Sequence, residues 1–571
     1  MLAVREPLWS IVVSCVCLAP VAQAAILPTD LEPRVGSPYQ PADAQERAIW
    51  QSLARVEEGI RASPQRLIAP ELDAHILAVV ERLIGRPAPE LRIYVMRDAA
   101  FNAAMLPSGM MIVNTGLLAR VRDEAQLAAV LAHEAGHYFR NHSLDLNRED
   151  RRRSALASDV VPALQYYRDN FGGMGLINQA ILLSSFRYSR DLESEADAYG
   201  LMLMARAGYR PRAAFEIWEQ FNQERQAGAG ARQQRYRDQT SSELSTHPPT
   251  RSRMTNLADT ADHLAVEFER QGIPPDDGWA AAIRPHQAML LREQVFLNDA
   301  GASLYLLESL AKCGWTGLLR FYEGEVYRLR NEKGDGPRAA SAYAAATALA
   351  DAPPEAWLAH GLALLKAGGE AEAHAALNRY LRMRPDAPDA AMVRLALPRR
   401  AADEEPGAAA GHLIVKSGAD WKRLRSNSDE APWREAWTWN GPQTDRVAWL
   451  DGLPDGRRIS ARTQPADTRV PVFRADMTTQ DLTSMLEVSY RLKGVSVFDV
   501  ESIEAVEFLG GTGIKLRYNY ASGIVFPKRG SCVMRVVGKR LYAMKLEGVA
   551  NPSFDAVAAE FDRLIADARL R

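Results

Sequence analysis

The 571-residue chain has little cysteine, little histidine and almost no excess charge of either sign. Four cysteines are too few to stabilise a chain of this length by disulfide bonds, so a disulfide-rich scaffold is excluded. The 69 basic and 71 acidic residues are well mixed and leave a net charge of −2. That balance argues against a nucleic-acid-binding surface and gives no reason to expect membrane contact. Past the N-terminus, no run reaches about 18 uninterrupted apolar residues, so no transmembrane segment is expected in the mature chain.

The N-terminus has the pattern of an export signal. Arg5 precedes an apolar run from Leu8 to Val21, and the run ends at an A-x-A cleavage pattern that finishes at Ala24. The pattern predicts a cleaved signal peptide over residues 1–24 and a periplasmic location. A membrane anchor and a lipoprotein attached at Cys15 are the alternatives.

Histidines cluster at a meaningful spacing in the sequence H-E-x-x-H at residues 133–137. His133 and His137 are four apart, so on a helix they share one face. Two neutral imidazole nitrogens at that spacing can hold one Zn²⁺. Glu134 follows the first ligand directly, so it can face a metal-activated water molecule rather than the metal. This arrangement is typical of a zinc peptidase, although a surface helix with two unrelated histidines remains the plain alternative.

The residues around the motif favour a helix. Asp123 with Gln126 three positions later resembles a capping box, and apolar residues then recur at spacings of three and four. A helix is therefore expected over about residues 124–140. The small residues Ala132 and Gly136 would let another backbone approach the ligands closely.

A third ligand is needed, because catalytic zinc sites usually have three protein ligands. Glu193 and Asp197 are four apart in a second helical segment, so they share a face. Glu193 can ligate the metal, and Asp197 can accept a hydrogen bond from a ligand histidine and fix its tautomer. The alternative is a solvated acidic face, to which Glu195 is expected to belong.

These two motifs together carry a family resemblance. H-E-x-x-H followed by S-R-x-x-E-x-x-A-D from Ser189 resembles the HtpX, CaaX-prenyl-protease and BepA family of zinc metallopeptidases. Flanking segments agree, and the resemblance covers about residues 75–260. The agreeing segments are Asn102-Ala103, Pro107-Ser108-Gly109, Thr115-Gly116-Leu117-Leu118 and Ser245-Thr246-His247-Pro248-Pro249, with Arg253 beyond them.

The resemblance implies a mainly helical α+β protease domain of the zincin type over residues 25–265. In such a domain His133, His137 and Glu193 would bind one zinc ion, and Glu134 would be the general base. The strand-like run Met110 to Asn114 would correspond to the family's active-site edge strand. A substrate peptide could add to an edge strand in extended form, which predicts broad specificity for unfolded chains.

His247 and Arg253 are further site candidates. His247 precedes two prolines and follows a stretch from Arg225 to Ser245 that is expected to be a mobile loop. His247 could stabilise the oxyanion together with Arg253. It could instead occupy the open metal position and inhibit the enzyme, as proposed for close relatives, or have no role.

Residues 280–398 favour an α-helical domain of TPR-like repeats. One unit fits the tetratricopeptide pattern at a period of about 34 residues, and a looser unit precedes it with a turn at Gly334-Asp335-Gly336-Pro337. A third, degenerate pair is expected between Ala288 and Leu310, and a generic helical bundle is the alternative. The residues that fit the pattern are Trp357, Gly361, Leu364, Ala373, Leu377, Tyr380 and Pro385.

A linker over residues 399–411 precedes a C-terminal α+β domain, residues 412–571, that weakly resembles PsbP/Mog-like sandwiches. Its expected role is binding or targeting. Cys313 and Cys532 could form a disulfide or remain as two buried free thiols. Strands are expected at Ala436 to Asn440, Asp445 to Leu450, Gly513 to Tyr520, Cys532 to Val537 and Arg540 to Glu547, with a turn at Gly538-Lys539 and helices at Thr479 to Leu492 and Ser553 to Ala568.

Two function classes follow from this organisation. The first is a zinc endopeptidase that acts on misfolded or stalled envelope proteins. The second is a periplasmic chaperone or assembly factor with a capped, rarely used zinc site. In either class the repeat groove could contact outer-membrane assembly machinery. The presence of every expected site residue favours the first class.

Overall fold

The computed structural model describes residues 39–146, 148, 190–236, 251–271, 278–397, 411–416, 420–424, 432–441, 444–460, 468–522 and 527–571. The fold is mainly helical, with a sheet-rich C-terminal region. Within these residues, no helix is both long and apolar enough to cross a bilayer. The predicted signal peptide and all but the last residue of the predicted linker lie outside the described residues.

The N-terminal region, residues 39–271, places a small sheet against helices. Its strands are β1 (Arg92–Met96), β2 (Ala103–Met105) and β3 (Met110–Asn114). Its helices are α1 (Ala44–Ala62), α2 (Pro70–Ile84), α3 (Thr115–Leu118), α4 (Glu124–Phe139), α5 (Arg190–Arg206), α6 (Ala213–Ala231) and α7 (Arg251–Gln271).

The sheet order corrects the expected edge strand. The order is β1-β3-β2, so β3 is central, with β1 parallel on one side and β2 antiparallel on the other. The expectation that Met110–Asn114 is the active-site edge is therefore wrong. The edge strand next to helix α4 is β2, because α4 packs against β2.

Helix α4 forms as expected. The Asp123 carboxylate caps it by accepting from the Gln126 N–H at 2.9 Å. Helix α5 crosses α4 closely because both contribute glycine at the contact. A Cβ on Gly136 would lie 2.9 Å from the Ala196 oxygen, and one on Gly200 would lie 3.0 Å from the His133 nitrogen. The small residues therefore bring the two ligand-bearing helices together.

The expectation of a mobile loop from Arg225 to Ser245 is wrong for the first residues of that stretch. Helix α6 continues to Ala231, because Glu224 and Gly228 lie on a face that is buried against other elements. Buried Glu224 accepts two hydrogen bonds from the Arg120 guanidinium, at 2.6 and 2.7 Å. Those contacts hold α6 against the chain that follows α3.

A helical array over residues 279–396 follows, and two successive helical hairpins form its centre. Gly324 packs on the Tyr343 ring and Gly361 on Leu377, so each hairpin closes over a glycine. The array contains α8 (Trp279–Ile283), α9 (Gln287–Val295), α10 (Ala300–Leu310), α11 (Gly317–Arg330), α12 (Asp335–Thr347), α13 (Pro354–Lys366), α14 (Glu370–Met383) and α15 (Ala390–Ala396).

Two expectations for the array need correction. Helix α12 already begins at Asp335, so the expected turn is shorter, and Gly334 supplies the left-handed residue before the helix at φ 91°. Helices α9 and α10 form as expected but do not make a third hairpin. Helix α10 packs mainly on α6, where a Cβ on Gly301 would lie 2.2 Å from the Ala227 oxygen.

The elements of the C-terminal region are β4 (Leu413–Ile414), β5 (Lys422–Arg423), β6 (Arg434–Thr438), β7 (Asp445–Pro454), α16 (Thr479–Arg491), β8 (Val497–Phe508), β9 (Gly511–Ala521), β10 (Lys528–Val537), β11 (Arg540–Val549), α17 (Ser553–Asp567) and β12 (Arg569–Leu570). Seven of the strands form a sheet of order β5-β6-β7-β11-β10-β9-β8 with one helix on each face. Alternation along β10 explains the two faces, since Cys532 packs under α16 and Val533 under α17.

The five expected strands and both expected helices are confirmed, and the long strand β8 and the two-residue strands β4, β5 and β12 are additional. Gly538 and Lys539 make the predicted tight turn, with φ of 55° and 59°. Cys313 and Cys532 are both free thiols. Cys532 is buried as expected, whereas Cys313 is exposed.

Helix α9 connects all three regions. The Glu293 carboxylate accepts from Thr115 Oγ1 at 2.9 Å and from Arg97 Nε at 2.8 Å, both in the N-terminal region. The adjacent Arg292 donates to Glu487 of α16 at 2.7 Å. Val488 of α16 also belongs to the apolar core of the array. Helix α16 of the C-terminal region therefore lies against the helical array.

Candidate metal centre

Three buried side chains converge where α4 and α5 cross. The His133 and His137 Nε2 atoms are 3.1 Å apart, on adjacent turns of one helix face. Glu193 brings its carboxylate from α5, with its oxygens 3.6 Å from His133 Nε2 and 3.5 Å from His137 Nε2. These three residues form the one group of potential metal ligands found among the described residues.

The donor set fits zinc. Tetrahedral Zn²⁺ with ligand bonds of about 2.0–2.1 Å places its ligand atoms roughly 3.3 Å apart. The observed separations of 3.1, 3.5 and 3.6 Å bracket that value. Two imidazoles with one carboxylate are also a ligand set found in catalytic zinc sites. The cluster therefore fits a single zinc ion.

Asp197 holds the first ligand histidine. Its Oδ1 lies 2.9 Å from His133 Nδ1, which leaves Nε2 directed at the other ligands. Burial alone would raise the pKa of Asp197, but the Arg253 guanidinium and the bond to His133 outweigh it and hold that pKa well below its usual range. The carboxylate is therefore charged and acts as an acceptor for His133.

Arg253 lies inside this network rather than in open space. Its guanidinium makes two hydrogen bonds to Asp197, at 2.7 and 2.8 Å, and lies 2.9 Å from Glu193. It also stacks over the Trp218 ring at 4.9 Å. The observed contacts give Arg253 a positioning geometry, and its suggested oxyanion role stays a prediction.

The second ligand histidine has a matching partner that the sequence did not reveal. His142 Nδ1 lies 2.9 Å from His137 Nδ1, and His142 is fully buried. Glu195 lies behind it, 3.4 Å from His142 Nε2 and 2.7 Å from Arg140 Nε. The expectation that Glu195 belongs to a solvated face holds only in part, because the side chain is 26% exposed but also pairs with Arg140 beside His142.

Glu134 points towards the edge strand. Its Oε2 accepts from the Met105 N–H at 3.3 Å, and the side chain is buried beside the two ligand histidines. Met105 pairs with Met111 of β3 on its other side, so the Met105 N–H faces away from the sheet. Glu134 is thus adjacent to the strand to which a peptide could add. His247 lies outside the described residues, so its role stays a prediction.

Comparison with known proteins agrees with this geometry. The model of Peptidase family M48 matches residues 67–261. The mitochondrial metalloendopeptidase OMA1 of Schizosaccharomyces pombe is 31% identical over 205 residues, which are 34% of this chain and 55% of that protein. The putative beta-barrel assembly-enhancing protease of Vibrio cholerae is 26% identical over 173 residues, 29% of this chain and 34% of that protein.

Human metalloendopeptidase OMA1 is 32% identical over 165 residues, 26% of this chain and 32% of that protein. The chain thus spans between about a third and just over half of these relatives. His133, His137 and Glu193 all lie within the matched residues. Residues 67–261 therefore form a domain of Peptidase family M48, a family of zinc-dependent metallopeptidases.

Proposed function

We propose that the chain is a zinc metalloendopeptidase. The observation that carries the proposal is the convergence of buried His133, His137 and Glu193 where α4 and α5 cross. Buried Glu134 directly follows the first ligand and accepts from the edge strand β2. Zinc bound by the three ligands would supply a Lewis acid that acidifies water and polarises a carbonyl group.

The chain's own residues supply the remaining chemistry. Glu134 takes a proton from the attacking water at a carboxylate oxygen and transfers it to the leaving amine. Asp197 and His142 hold the ligand imidazoles by their Nδ1 atoms, so both rings keep the orientation that binding needs. Arg253 fixes Asp197 in turn.

The proposed substrates are extended segments of unfolded or misassembled cell-envelope proteins. Strand β2 supports this proposal because its open edge offers backbone groups beside Glu134, and such pairing depends little on side chains. The predicted signal peptide favours action in the periplasm. The helical array would act as a TPR-like surface for outer-membrane assembly machinery, in line with the similarity to the putative beta-barrel assembly-enhancing protease of Vibrio cholerae.

Zinc content and casein cleavage, measured together, test the proposal. We expect about one zinc per chain in both the wild type and Glu134→Gln, because Glu134 is not a ligand. Casein cleavage should fall by about 10²–10⁴-fold in the variant, since proton transfer is lost. Glu71→Gln, on the exposed start of α2, is the matched control and should cleave normally.

Cleavage that survives Glu134→Gln would contradict the proposed mechanism. Wild-type protein that carries zinc and fails to cleave any unfolded substrate would contradict the endopeptidase proposal and favour a chaperone or assembly factor.

A further inference from the structure

A large cavity lies away from the metal centre, between the helical array and the C-terminal region. Its volume is about 1200 Å³. One wall is the inner face of the array, and the other is formed by α16 with strand β8. Most of its lining is apolar, and representative residues are Phe296, Leu318, Leu362, Leu365, Met477 and Ile503.

The charged side chains deepest in the wall are already neutralised by one another. Buried Glu487 accepts from Arg292 at 2.7 Å. Buried Glu325 accepts from Arg328 at 2.8 Å, and Arg328 also donates to Asp481 of α16 at 3.0 Å.

Of the other charged lining residues, Glu355 pairs with Arg384 at 3.3 Å, Asp389 accepts from Tyr380 at 2.6 Å, and Glu370 is exposed. An occupant would therefore meet mainly apolar surface and paired charges, which favours an uncharged, largely apolar ligand.

Strand β8 adds a backbone feature to this wall. It is the last strand of the seven-stranded sheet, so one of its edges is open. At one point the chain itself uses that edge, because the Ile503 N–H donates to the Pro388 oxygen at 3.0 Å. Backbone N–H groups point to alternate sides along a strand, so the Ala505 N–H points away from the sheet as the Ile503 N–H does.

Ala505 is exposed and lines the cavity. Among the described residues, no segment other than strand β9 makes a backbone hydrogen bond to Ala505. The cavity therefore offers an outward backbone amide beside apolar side chains, which is the combination that binds an extended peptide by strand addition. A lipid or small apolar molecule would use the apolar wall and leave the amide without a role.

We propose that this cavity binds an extended, uncharged and largely apolar peptide segment, which adds to the edge of β8 and places its side chains against the array. The volume exceeds the roughly 300–1,000 Å³ of ordinary small-molecule pockets, as a peptide ligand requires. In combination with the proposed protease function, the site would hold a second segment of the unfolded chain that is being cleaved.

The test measures binding without cleavage. The full-length Glu134→Gln chain is titrated against a short fluorescein-labelled peptide of alternating valine and threonine, followed by fluorescence anisotropy. Leu362→Glu places a charge on the apolar wall, and Ala505→Pro removes the outward N–H, which an edge strand tolerates. We expect each variant to weaken binding by at least about tenfold. Leu349→Glu, on an exposed leucine of the array outside the cavity, should leave binding unchanged.

Three results would overturn the inference. The first is no saturable binding of the peptide, and the second is equal loss of binding in Leu349→Glu and Leu362→Glu. The third is loss in Leu362→Glu with none in Ala505→Pro, together with displacement of the peptide by a fatty acid, which would assign the cavity to an apolar small molecule. Because cleavage plays no part in this assay, its outcome is independent of the casein experiment.

Discussion

Each ligand histidine is held from behind by a different kind of group. A charged Asp197 supports His133, whereas a second imidazole, His142, supports His137 and is itself backed by Glu195. A group that accepts a hydrogen bond from one ring N–H leaves the other ring nitrogen unprotonated and available for the metal. The two supports therefore fix the tautomers of both ligand histidines.

Replacement of His142 should weaken zinc binding. His142→Leu keeps comparable volume but removes the partner of His137 Nδ1, so we expect a loss of about 10–100-fold in zinc affinity. A competition titration with a chelating indicator measures this directly. His263→Leu, at an exposed histidine of α7, is the control. Unchanged zinc affinity in His142→Leu would show that His142 does not position His137.

The sequence predicts the metal ligands because their chemistry limits their spacing. His133 and His137 must share a helix face, and Glu193 with Asp197 must share another. His142 escapes prediction because the helix ends between it and His137. Asn141, at φ 63°, turns the chain back and brings His142 behind the ligand. The periodic pattern of a helix does not predict such a turn.

At the scale of elements, the site depends on how closely α4 and α5 approach. Gly200→Ala would place a methyl group 3.0 Å from the His133 nitrogen and 3.1 Å from the Ala132 carbonyl carbon, both in the backbone of α4. Because helix backbone does not yield easily, α5 would have to move and carry Glu193 away from the histidines.

We therefore expect Gly200→Ala to lower the free energy of unfolding by about 1–3 kcal/mol. Its zinc affinity should fall as well. Chemical denaturation and zinc titration are the measurements. Gly230→Ala is a matched control inside helix α6, where a Cβ meets no atom within 4 Å, and it should stabilise the protein by about 0.5–1 kcal/mol. Normal zinc affinity in Gly200→Ala would contradict the close-packing argument.

Strand order and helix length were harder to predict than the presence of elements. Met110–Asn114 is a strand as expected. Its central position depends on pairing with two other segments, and the local sequence pattern of a strand does not predict its partners. Strand β8 is hard to predict because exposed acids interrupt its apolar residues, among them Glu501 and Glu504. Helix α6 extends into the segment expected to be a loop, because tertiary contacts of Glu224 outweigh a local sequence rich in glycine and arginine.

At the scale of the whole molecule, helix α9 ties the metalloprotease domain to the C-terminal sheet through two adjacent residues. Glu293 faces Thr115, which directly follows β3, and Arg292 faces Glu487 of α16. The sequence could not predict this arrangement, since the second contact joins residues 195 positions apart and depends on buried charge rather than on periodicity. The position of the C-terminal region is thereby fixed relative to the array.

Removal of the Glu487 charge should weaken this attachment. Glu487 is buried and also accepts from Arg491 Nε at 2.9 Å, so Glu487→Gln leaves two guanidinium groups beside a neutral amide. Loss of one member of a buried ion pair costs about 3–5 kcal/mol. We expect calorimetry to show an earlier, separate unfolding transition for the C-terminal region, while zinc content stays at the wild-type level.

Glu507→Gln, on an exposed acid of β8, should unfold like the wild type. A single unshifted transition in Glu487→Gln would mean that apolar contacts such as those of Val488 hold the two regions together without the ion pair.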